Sequence, residues 1–404
     1  MSDRTLLYKG DLDAVFVYIL CMIDGDHLNY GHSPESCELL QRLKDSANIT
    51  RTVIAGLELG LEKVSLSSTV NPPHWEFGHV TWFHEFWAHR GGLISNPSLL
   101  PDSDQLFNSS EIIHGDRWSA GLPSLDVLLE YFDQVMEKTC DILGSRSLSS
   151  EQNYFIQLAI CHQDMHNEAF AYMWQGLGYS WSISVDLASV AKSNEFSEPV
   201  YIDFPAGPVS IGSKSNSGFI FDNEKWEQEL HIPGFSISSQ AVTNQQYLEF
   251  IEAHLRGEQD RVAMLPSHWR KVGHIWQERC FDRWRDMEMH HPVRHISAKA
   301  ADAYCSWRGL RLPTEPELTA AMSLSPIGWQ PSGLWEWTSS AFMPFAGFSP
   351  DPYEDYSKPW FDGKHRVLKG WSIFTPQYFR RPQFRNFYLP SRSDPFCGFR
   401  TCLP

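Results

Sequence analysis

The segment from Gln152 to Trp174 contains neither proline nor glycine, and its apolar residues recur with the period of a helix. It carries His162 and His166, which are four residues apart. Residues at this spacing lie on one face of a helix, so the two imidazoles are placed to share a metal ion. Amphipathic helices also contain such pairs without any metal, so the pair by itself leaves both interpretations open.

The residues beside this pair narrow its chemistry. A zinc protease with two histidines on one helix has its general-base glutamate directly after the first of them, whereas Gln163 stands here. Metalloprotease chemistry is therefore not predicted. Cys161 precedes the pair, but neighbouring side chains on a helix point about 100° apart, so this thiol is not counted as a ligand.

A second helix is predicted over His74–His89, because Asn71-Pro72-Pro73 precedes it and proline is tolerated in the first turn of a helix. Its core-facing stripe consists of Trp75, His79, Trp82 and Phe86. His79 is either a core histidine satisfied by a hydrogen bond or a third metal ligand, and the spacing alone does not decide between them. His84 and His89 lie off the stripe and are predicted to face solvent.

Helical periodicity also covers residues 33–59, 124–143 and 149–174, and Ser124 and Ser149 are suitable N-caps. With the helix described above, these segments predict an up-and-down four-helix bundle. The loop between residues 91 and 123 is rich in Pro, Ser and Asp and is longer than a simple connection, which makes it a candidate binding loop.

Charge and hydropathy exclude several kinds of partner. The net charge is -16 and there is no run of Lys or Arg, which argues against nucleic acid and against an anionic membrane surface. The longest apolar run, Ala14–Ile23, is too short to span a bilayer, and acidic residues precede it where a secretory signal would be basic. We therefore expect a cytoplasmic protein with small substrates. Its eight cysteines form no Cys-x-x-Cys pair and are expected to be reduced.

After Gly178 the helical period gives way to short β-rich segments punctuated by Gly and Pro, which predicts a second domain of α+β type. Helices are predicted in it over residues 242–256 and 297–308. The tail from Trp335 to Pro404 is crowded with aromatic residues and arginine. This composition suits an irregular aromatic core, and it also suits the binding of a cationic or zwitterionic ligand.

Several motifs occur in an order that resembles a known enzyme family. They are Asn71-Pro72-Pro73-His74-Trp75-Glu76-Phe77-Gly78-His79, His162-x-x-x-His166-x-Glu168, Arg311-Leu312-Pro313-Thr314-Glu315, Trp335-Glu336-Trp337-Thr338, Phe384-Arg385-Asn386 and Gly398-Phe399-Arg400. Together they resemble the non-haem iron sulfoxide and selenoxide synthases of ergothioneine, ovothiol and selenoneine biosynthesis. The resemblance implies a multidomain α and α+β chain. It would comprise an N-terminal extension (1–32), a DinB-like four-helix bundle (33–185) and a formylglycine-generating-enzyme-like domain of the C-type-lectin-like fold (200–404).

The resemblance also implies an iron site. The iron ligands of the family fall on His79, His162 and His166, and neutral imidazoles suit Fe(2+). Glu168 is expected to orient a ligating histidine by accepting a hydrogen bond from its other ring nitrogen, as carboxylates commonly do. Met165 stands where family members commonly have a glutamine that meets the substrate imidazole.

The implied substrates are hercynine, dioxygen and a selenosugar or thiol. Asn386 matches a substrate-contacting asparagine of the family, whereas Phe387 and Tyr388 replace a Trp-Asp pair that helps to hold γ-glutamylcysteine. A different donor is therefore expected, and the loop motifs look most like the selenoneine synthase branch. We expect the donor to be held by hydroxyl partners and stacking faces, drawn from Ser110, Glu111, Asp116, Arg117, Trp118 and Tyr388.

Two tyrosines of the family are not found where the resemblance places them. Ser110 and Glu111 stand at a Tyr-Tyr position of the bundle loop, and Phe348 stands near the oxygen-activating tyrosine of the second domain. Both tyrosines are therefore expected to be absent, and the sequence identifies no proton donor.

Other functions compete with this one. The nearest alternative is an ergothioneine sulfoxide synthase that uses cysteine or γ-glutamylcysteine, and the second is a DinB-type thiol transferase, which would not need the aromatic second domain. Formylglycine generation requires a cysteine pair near the end of the domain, and no cysteine lies between Trp360 and Phe396. A lectin-like binding module would not need three converging histidines.

Overall fold

The computed structural model describes residues 34–56, 69–144, 148–183, 199–215, 217–254 and 264–404. The predicted extension over residues 1–32 lies outside this part of the chain. So do residues 184–198, where the boundary between the two domains is predicted. Within the described ranges, no helix is both long enough and apolar enough to cross a membrane.

Four long helices form the first half of the described chain. They are α1 (Pro34–Ala55), α2 (Pro73–His84), α4 (Leu125–Gly144) and α5 (Ser150–Leu177), and a short α3 (Ser103–Phe107) lies in the connection before α4. α1 and α2 each pack against both α4 and α5, which is the arrangement of a four-helix bundle. The predicted helical fold of this region is therefore confirmed.

The ends of these helices follow local sequence signals. Pro73 opens α2, and Ser149 and Gln152 form a reciprocal capping box at the start of α5. α5 ends at Gly178, which has a left-handed φ of 73°. α2 does not end at His84 but continues as a turn of π-helix over Glu85–His89.

The prediction that His84 and His89 face solvent is wrong. His84 is fully buried, and His89 is partly buried. The hydroxyl of Thr139 on α4 lies 3.2 Å from His84 Nε2 and 2.8 Å from His89 Nε2. Both sides of α2 are covered, because the bundle encloses one side while the loop after α2 and the second half of the chain cover the other, so the helix has no solvent-facing stripe.

The second half of the described chain is a mixed α+β structure, as predicted. Its helices are α6 (Asn244–His254), α7 (Ala298–Arg308) and α8 (Glu315–Leu324). Its strands are β1 (Tyr201–Phe204), β2 (Gly207–Ile211), β3 (Gln228–Ile232), β4 (Phe235–Ser238), β5 (Trp269–Val272), β6 (Ile275–Cys280), β7 (Arg283–Asp286), β8 (Trp335–Ala341), β9 (Arg366–Gly370), β10 (Asn386–Tyr388) and β11 (Cys397–Gly398). The predicted helices over residues 242–256 and 297–308 correspond to α6 and α7, whose described ends lie within two residues of the prediction, whereas α8 was not predicted. Residues 255 and 256 lie outside the described part of the chain.

The strands form small sheets rather than one large one. The largest has the order β10-β9-β8-β11, in which β8 is antiparallel to β9 and parallel to β11. Pairs β1-β4 and β2-β3 and the meander β5-β6-β7 complete the set. The sequence pattern of short β segments with frequent turns follows from this arrangement.

Buried ion pairs hold this half together. The guanidinium of Arg385 donates to Glu315 at 2.7 Å, and that of Arg400 donates to Glu336 at 2.8 Å. All four side chains are buried. Removing one partner of such a pair costs about 3–5 kcal/mol, because the other charge is left without compensation. Arg385 and Arg400, the arginines of the Phe-Arg-Asn and Gly-Phe-Arg motifs, are therefore structural.

α5 is also the surface on which the second half docks. Tyr154 donates to Asp351 at 3.1 Å, Tyr378 donates to Asp164, and Gln175 accepts from the amide of Phe281 at 2.6 Å. These helix positions recur at roughly helical spacing, so they form one stripe along α5. The same helix that carries His162 and His166 thus fixes the position of the second half beside them.

Candidate metal centre

Three histidines converge between α2 and α5. Their nearest ligand atoms all lie within 4.8 Å of one another, and His79 and His162 are buried while His166 is partly buried. The His79 ring lies 5.3 Å from His162 and 5.1 Å from His166, measured between centroids. The structure therefore brings together the three side chains that the sequence singled out.

His79 is held in one orientation. Its Nδ1 lies 2.8 Å from the carbonyl oxygen of Phe107, and its ring stacks on Trp75 at 5.0 Å. Phe107 can reach this place only because residue 78 is glycine, since a Cβ there would lie 2.1 Å from the Phe107 ring. An Nδ1–H that donates to a carbonyl leaves Nε2 of His79 with its lone pair free.

His166 is held by Glu76, a residue that the sequence interpretation missed. The His166 Nδ1 contacts one oxygen of the buried Glu76 carboxylate, and the amide of Asn71 donates to the other. Burial alone would raise the pKa of Glu76, but His166, His79 and Asn71 together lower the pKa to about 2. Glu76 lies three residues before His79 on α2, so the spacing of the motif could have pointed to it.

The expectation that Glu168 supports the histidines is wrong. Its carboxylate accepts hydrogen bonds from Trp335 at 2.6 Å, Ser372 at 2.6 Å and Thr375 at 2.7 Å, all in the second half of the chain. The physical reason is the helix period, because a residue two positions after His166 points about 200° away from it. Glu168 joins the two halves of the protein instead.

His162 is the third member of the triad, and its ring centroid lies 4.4 Å from that of His166. The Phe83 ring stacks on it with centroids 3.4 Å apart, and its Nε2 lies 3.2 Å from the Nε2 of His166. Its Nδ1 is buried and has no hydrogen-bond partner among the described residues. Burial, with the neighbouring histidines, lowers the pKa of His162 well below its ordinary value, and burial lowers the pKa of His79 to about 3.

These observations fit a divalent transition metal. The hydrogen bonds to Nδ1 turn Nε2 of His79 and His166 toward a common point, and neutral imidazoles are the form that binds metal. Two imidazole nitrogens bound to one ion at about 2.1 Å and at roughly right angles are about 3 Å apart, close to the spacing seen between His162 and His166. The donor set is all imidazole, which suits iron, copper, nickel or zinc better than magnesium or calcium.

A tyrosine from the second half faces the triad, contrary to expectation. The Tyr353 ring meets His162 edge-on at 6.3 Å and Phe83 at 4.9 Å. Phe348, the position that the resemblance indicated, instead packs on Phe361 at 5.0 Å. Tyr353 lies in an irregular segment without a periodic pattern, so no sequence signal marks it. Burial, with the charge of Asp355, raises its pKa.

Tyr356 lies one turn further along the same segment. Its hydroxyl donates to the sulfur of Met165 at 3.7 Å, and its ring lies 6.1 Å from that of Phe387. Met165, which is part of α5, therefore faces the second half of the chain and meets a phenol there. Whether it also touches substrate stays a prediction.

A cavity of about 270 Å³ opens beside Tyr353 and Phe83. Its aromatic wall comes from the α2 region, and its polar wall comes from the loop after α3 and from the segment around Tyr353. The lining residues are Trp82, Phe83, Phe86, Trp87, Gly92, Asn108, Ser109, Ser110, Pro352, Tyr353, Glu354 and Asp355. Ser110 donates a hydrogen bond to Asp355 across the mouth. This lining contains two carboxylates and no Lys or Arg.

The predicted donor-binding residues of the loop are only partly found at this cavity. Ser110 lines it, whereas Glu111 and Asp116 are exposed elsewhere. The guanidinium of Arg117 donates hydrogen bonds to the side-chain oxygen of Asn71 at 2.8 Å and to two carbonyl oxygens of the loop. It also lies over the Trp75 ring, 4.2 Å from its centre. The prediction that Arg117 contacts substrate is therefore not supported by its position. Arg117 fixes the side chain of Asn71 by a hydrogen bond, and Asn71 donates a hydrogen bond to the carboxylate of Glu76.

The predicted hercynine residues lie on the edge strand β10. The side-chain oxygen of Asn386 accepts from the amide of Phe387 at 2.8 Å, which leaves the NH₂ group of Asn386 available. Phe387 stacks on Phe342 at 4.0 Å. Tyr388 is partly buried near Tyr172 of α5, and desolvation followed by the charge of Tyr172 raises its pKa.

Comparison with known proteins places the chain. Residues 187–327 match the family described as "Sulfatase-modifying factor enzyme 1-like domain". The chain is 27% identical over 390 residues to "Hercynine oxygenase" of Mycobacterium tuberculosis, covering 82% of this chain and 90% of that one. It is 26% identical over 400 residues to the protein of the same name from Mycolicibacterium smegmatis, again covering 82% and 90%.

A fungal protein is similar to this chain over about half of the fungal protein's length. "Ergothioneine biosynthesis protein 1" of Schizosaccharomyces pombe is 27% identical over 412 residues, covering 82% of this chain and 51% of that one. These matches span the helical half and the α+β half together, in the order found here. Over most of its length the chain is therefore similar to proteins named for hercynine oxygenation and ergothioneine biosynthesis, and these matches support the family of ergothioneine-type sulfoxide synthases and an oxygenase activity.

Proposed function

We propose that this protein is an Fe(2+)- and dioxygen-dependent enzyme that attaches selenium or sulfur to C2 of the imidazole of hercynine. In the balanced reaction, the C2–H and the chalcogen–H bonds are lost, one oxygen atom of O2 enters the selenoxide or sulfoxide, and the other leaves as water. Two relatives titled hercynine oxygenase support the organic substrate. The observation that carries the proposal is the convergence of three imidazoles whose ligand atoms all lie within 4.8 Å of one another.

His79, His162 and His166 would hold the iron. Bound there, iron(II) supplies the activation of dioxygen and positions for the chalcogen and for the substrate imidazole. The surrounding residues orient and shield these ligands. Phe83 and Trp75 exclude water from the rings of His162 and His79, and Glu76 keeps the Nδ1 proton of His166 in place. A rigid bundle suits this task because both ligand-bearing helices are fixed by packing.

The cavity beside Tyr353 is our proposed donor site. It joins an aromatic wall to hydroxyl and amide groups, and its lining holds two carboxylates, of which Glu354 pairs with Lys358 at 2.6 Å while Asp355 accepts from Ser110. The nearby Arg90 is already bound to both oxygens of Asp104 at 2.8 Å. A donor with two carboxylates would be repelled there, whereas a sugar can stack on the indoles and bond to Ser110 and Asp355.

A selenosugar or thiosugar is therefore the proposed donor, and γ-glutamylcysteine or cysteine is the alternative. Tyr353 borders this cavity and also faces His162, so it is placed to act on the reacting groups. We propose it as the residue that moves a proton during the reaction, a role for which the sequence alone offered no candidate.

Hercynine is proposed to lie between α5 and β10. Its carboxylate would accept from the NH₂ group of Asn386, and its trimethylammonium group would lie against the ring of Phe387, because Arg392 already lies over the ring of Tyr388 at 4.9 Å. A quaternary ammonium donates no hydrogen bond, so aromatic faces are the groups that recognise it.

The experiment that tests the function is an anaerobic incubation of iron-loaded protein with hercynine and one donor, started with O2 and analysed by mass spectrometry. The donors are 1-selenoglucose, 1-thioglucose, γ-glutamylcysteine and cysteine. We expect hercynine plus the sugar chalcogen plus one oxygen atom, and no product from His162→Ala. Turnover with γ-glutamylcysteine alone would establish the ergothioneine-type alternative. Thiol transfer without O2 would establish the thiol transferase.

A further inference from the structure

A second cavity, of about 300 Å³, lies between α1, α5 and the second half of the chain. Cys161 lines it, and Cys161 and His162 are neighbours on α5, so their side chains point about 100° apart. This cavity therefore opens on a different side of α5 from the histidine triad. None of the triad histidines lines it.

Arg42 of α1 dominates this cavity. Its guanidinium lies 3.6 Å from the centre of the Tyr378 ring and donates to the sulfur of Cys161 at 3.6 Å. Its Nε is buried and has no hydrogen-bond partner within the described part of the chain. Among the described residues, no carboxylate oxygen lies within 4.0 Å of its nitrogens. The groups that contact this charge are thus a thiol and a phenol, both neutral at pH 7.

The other arginine of the cavity behaves differently. Arg381 donates to Glu224 at 2.7 Å and to the carbonyl of Tyr378 at 3.1 Å, so its charge is compensated. The carboxylate of Asp164 also acts on Arg42 through space, but it accepts the hydroxyl of Tyr378. Arg42 is therefore a half-buried cation that forms no ion pair within 4.0 Å in the described part of the chain.

Partly burying a cation costs free energy unless an anion pairs with it. We infer that this cavity binds a small monocarboxylate, whose two oxygens pair with the guanidinium of Arg42. The planar fork of Arg matches a carboxylate, and Gln157 and Ser217 line the cavity with further donors. Leu39 and Phe219 supply an apolar wall for a short aliphatic tail. Glu38 at the rim and Asp164 nearby disfavour a doubly charged ligand such as phosphate.

The test is titration calorimetry on the iron-loaded protein in a chloride-free buffer, with propionate as the probe and inorganic phosphate and sulfate as comparison anions. We expect propionate to bind at one site. Arg42→Met should weaken binding at least tenfold, because it keeps the packing volume and removes the charge. Lys44→Met, which removes the same charge from the same helix outside the cavity, should leave binding unchanged.

Two further measurements keep the inference falsifiable if Arg42→Met fails to fold. Gln157→Leu should weaken propionate binding severalfold, and a crystal structure with propionate should show its carboxylate against Arg42. The absence of propionate binding, equal affinity in Arg42→Met, binding of phosphate but not propionate, or propionate only at the histidine triad would each overturn it. Because none of the triad histidines lines this cavity, these outcomes do not depend on which reaction the triad performs.

Discussion

Glu76 and His166 are ninety residues apart in sequence, yet the Nδ1 of His166 is bonded to the buried carboxylate of Glu76. Asn71 donates to the same carboxylate, and Arg117 donates to Asn71 at 2.8 Å. A chain of polar contacts thus runs from the loop after α3 to the back of a histidine of the triad. It explains why a motif that begins with Asn-Pro-Pro contains a glutamate before its histidine.

The first prediction concerns this contact. Glu76→Gln should weaken iron binding by about tenfold to a hundredfold, because the amide no longer stabilises the Nδ1 proton of His166. Iron affinity is measured by competition with a chelator. Glu137→Gln, the same exchange on an exposed face of α4, is the control and should keep wild-type affinity. Equal iron affinity in the two variants would remove Glu76 from this role.

The second prediction concerns the donor site. Asp355→Lys should lower the KM for γ-glutamylcysteine by about tenfold or more, because it replaces a repelling charge of the cavity with an attracting one. It should raise the KM for a sugar donor, which loses a hydrogen-bond acceptor. Steady-state kinetics with both donors give the comparison. If the ratio of the two KM values does not change, the cavity beside Tyr353 is not the donor site.

The third prediction concerns hercynine. Asn386→Ala should raise the KM for hercynine by about tenfold or more, since a hydrogen bond to a charged group contributes about 1.5–3 kcal/mol. Iron content, measured by elemental analysis, should stay at the wild-type level because Asn386 touches none of the three histidines. Asn386→Asp, which would repel the hercynine carboxylate, should be worse than alanine. An unaltered KM in both variants would contradict the proposed position of the substrate.

The fourth prediction concerns Tyr353. Tyr353→Phe should lower kcat by about a hundredfold or more, as expected when a group that transfers a proton is lost. The aromatic contacts with His162 and Phe83 are retained by phenylalanine, so iron binding should be unchanged. Tyr356→Phe, one turn away, serves as the control and should affect kcat far less. Full activity of Tyr353→Phe would exclude the phenol from proton transfer.

The fifth prediction is a pH dependence of stability. Burial, then the charges of Arg279 and Arg294, lower the pKa of His268 to about 3, whereas an unfolded histidine titrates near 6.5. Below pH 6.5 the unfolded chain therefore binds one more proton at this position than the folded chain. The unfolding free energy should fall by about 1.4 kcal/mol per pH unit from this group between pH 6 and pH 4.

The measurement is urea unfolding at several pH values for the wild type and for His268→Gln. In a plot of unfolding free energy against pH, the slope of the variant should be smaller by the contribution of one proton, about 1.4 kcal/mol per pH unit. His231→Gln, at an exposed position, should leave the slope unchanged. If His268→Gln has the wild-type slope, His268 is not held neutral in the folded protein.

Local signals in the sequence determined much of this protein. The proline pair before α2, the serine cap of α5 and the glycine after it mark helix ends, because each acts on backbone groups within one turn. The helix period alone placed His162 and His166 on one face. The order of the motifs indicated the combination of a bundle with an α+β domain, which the structure confirms.

Only the tertiary structure determined which residues contact the histidines of the triad. Glu76 reaches His166 only because α2 and α5 are neighbours in the bundle, and Tyr353 reaches His162 only because an irregular segment folds over α5. Glu168 was misassigned for the same reason, since its partners Ser372 and Thr375 are about two hundred residues away in sequence. Side-chain contacts between distant segments leave no periodic trace in a single sequence, so only the packing of the folded chain reveals them.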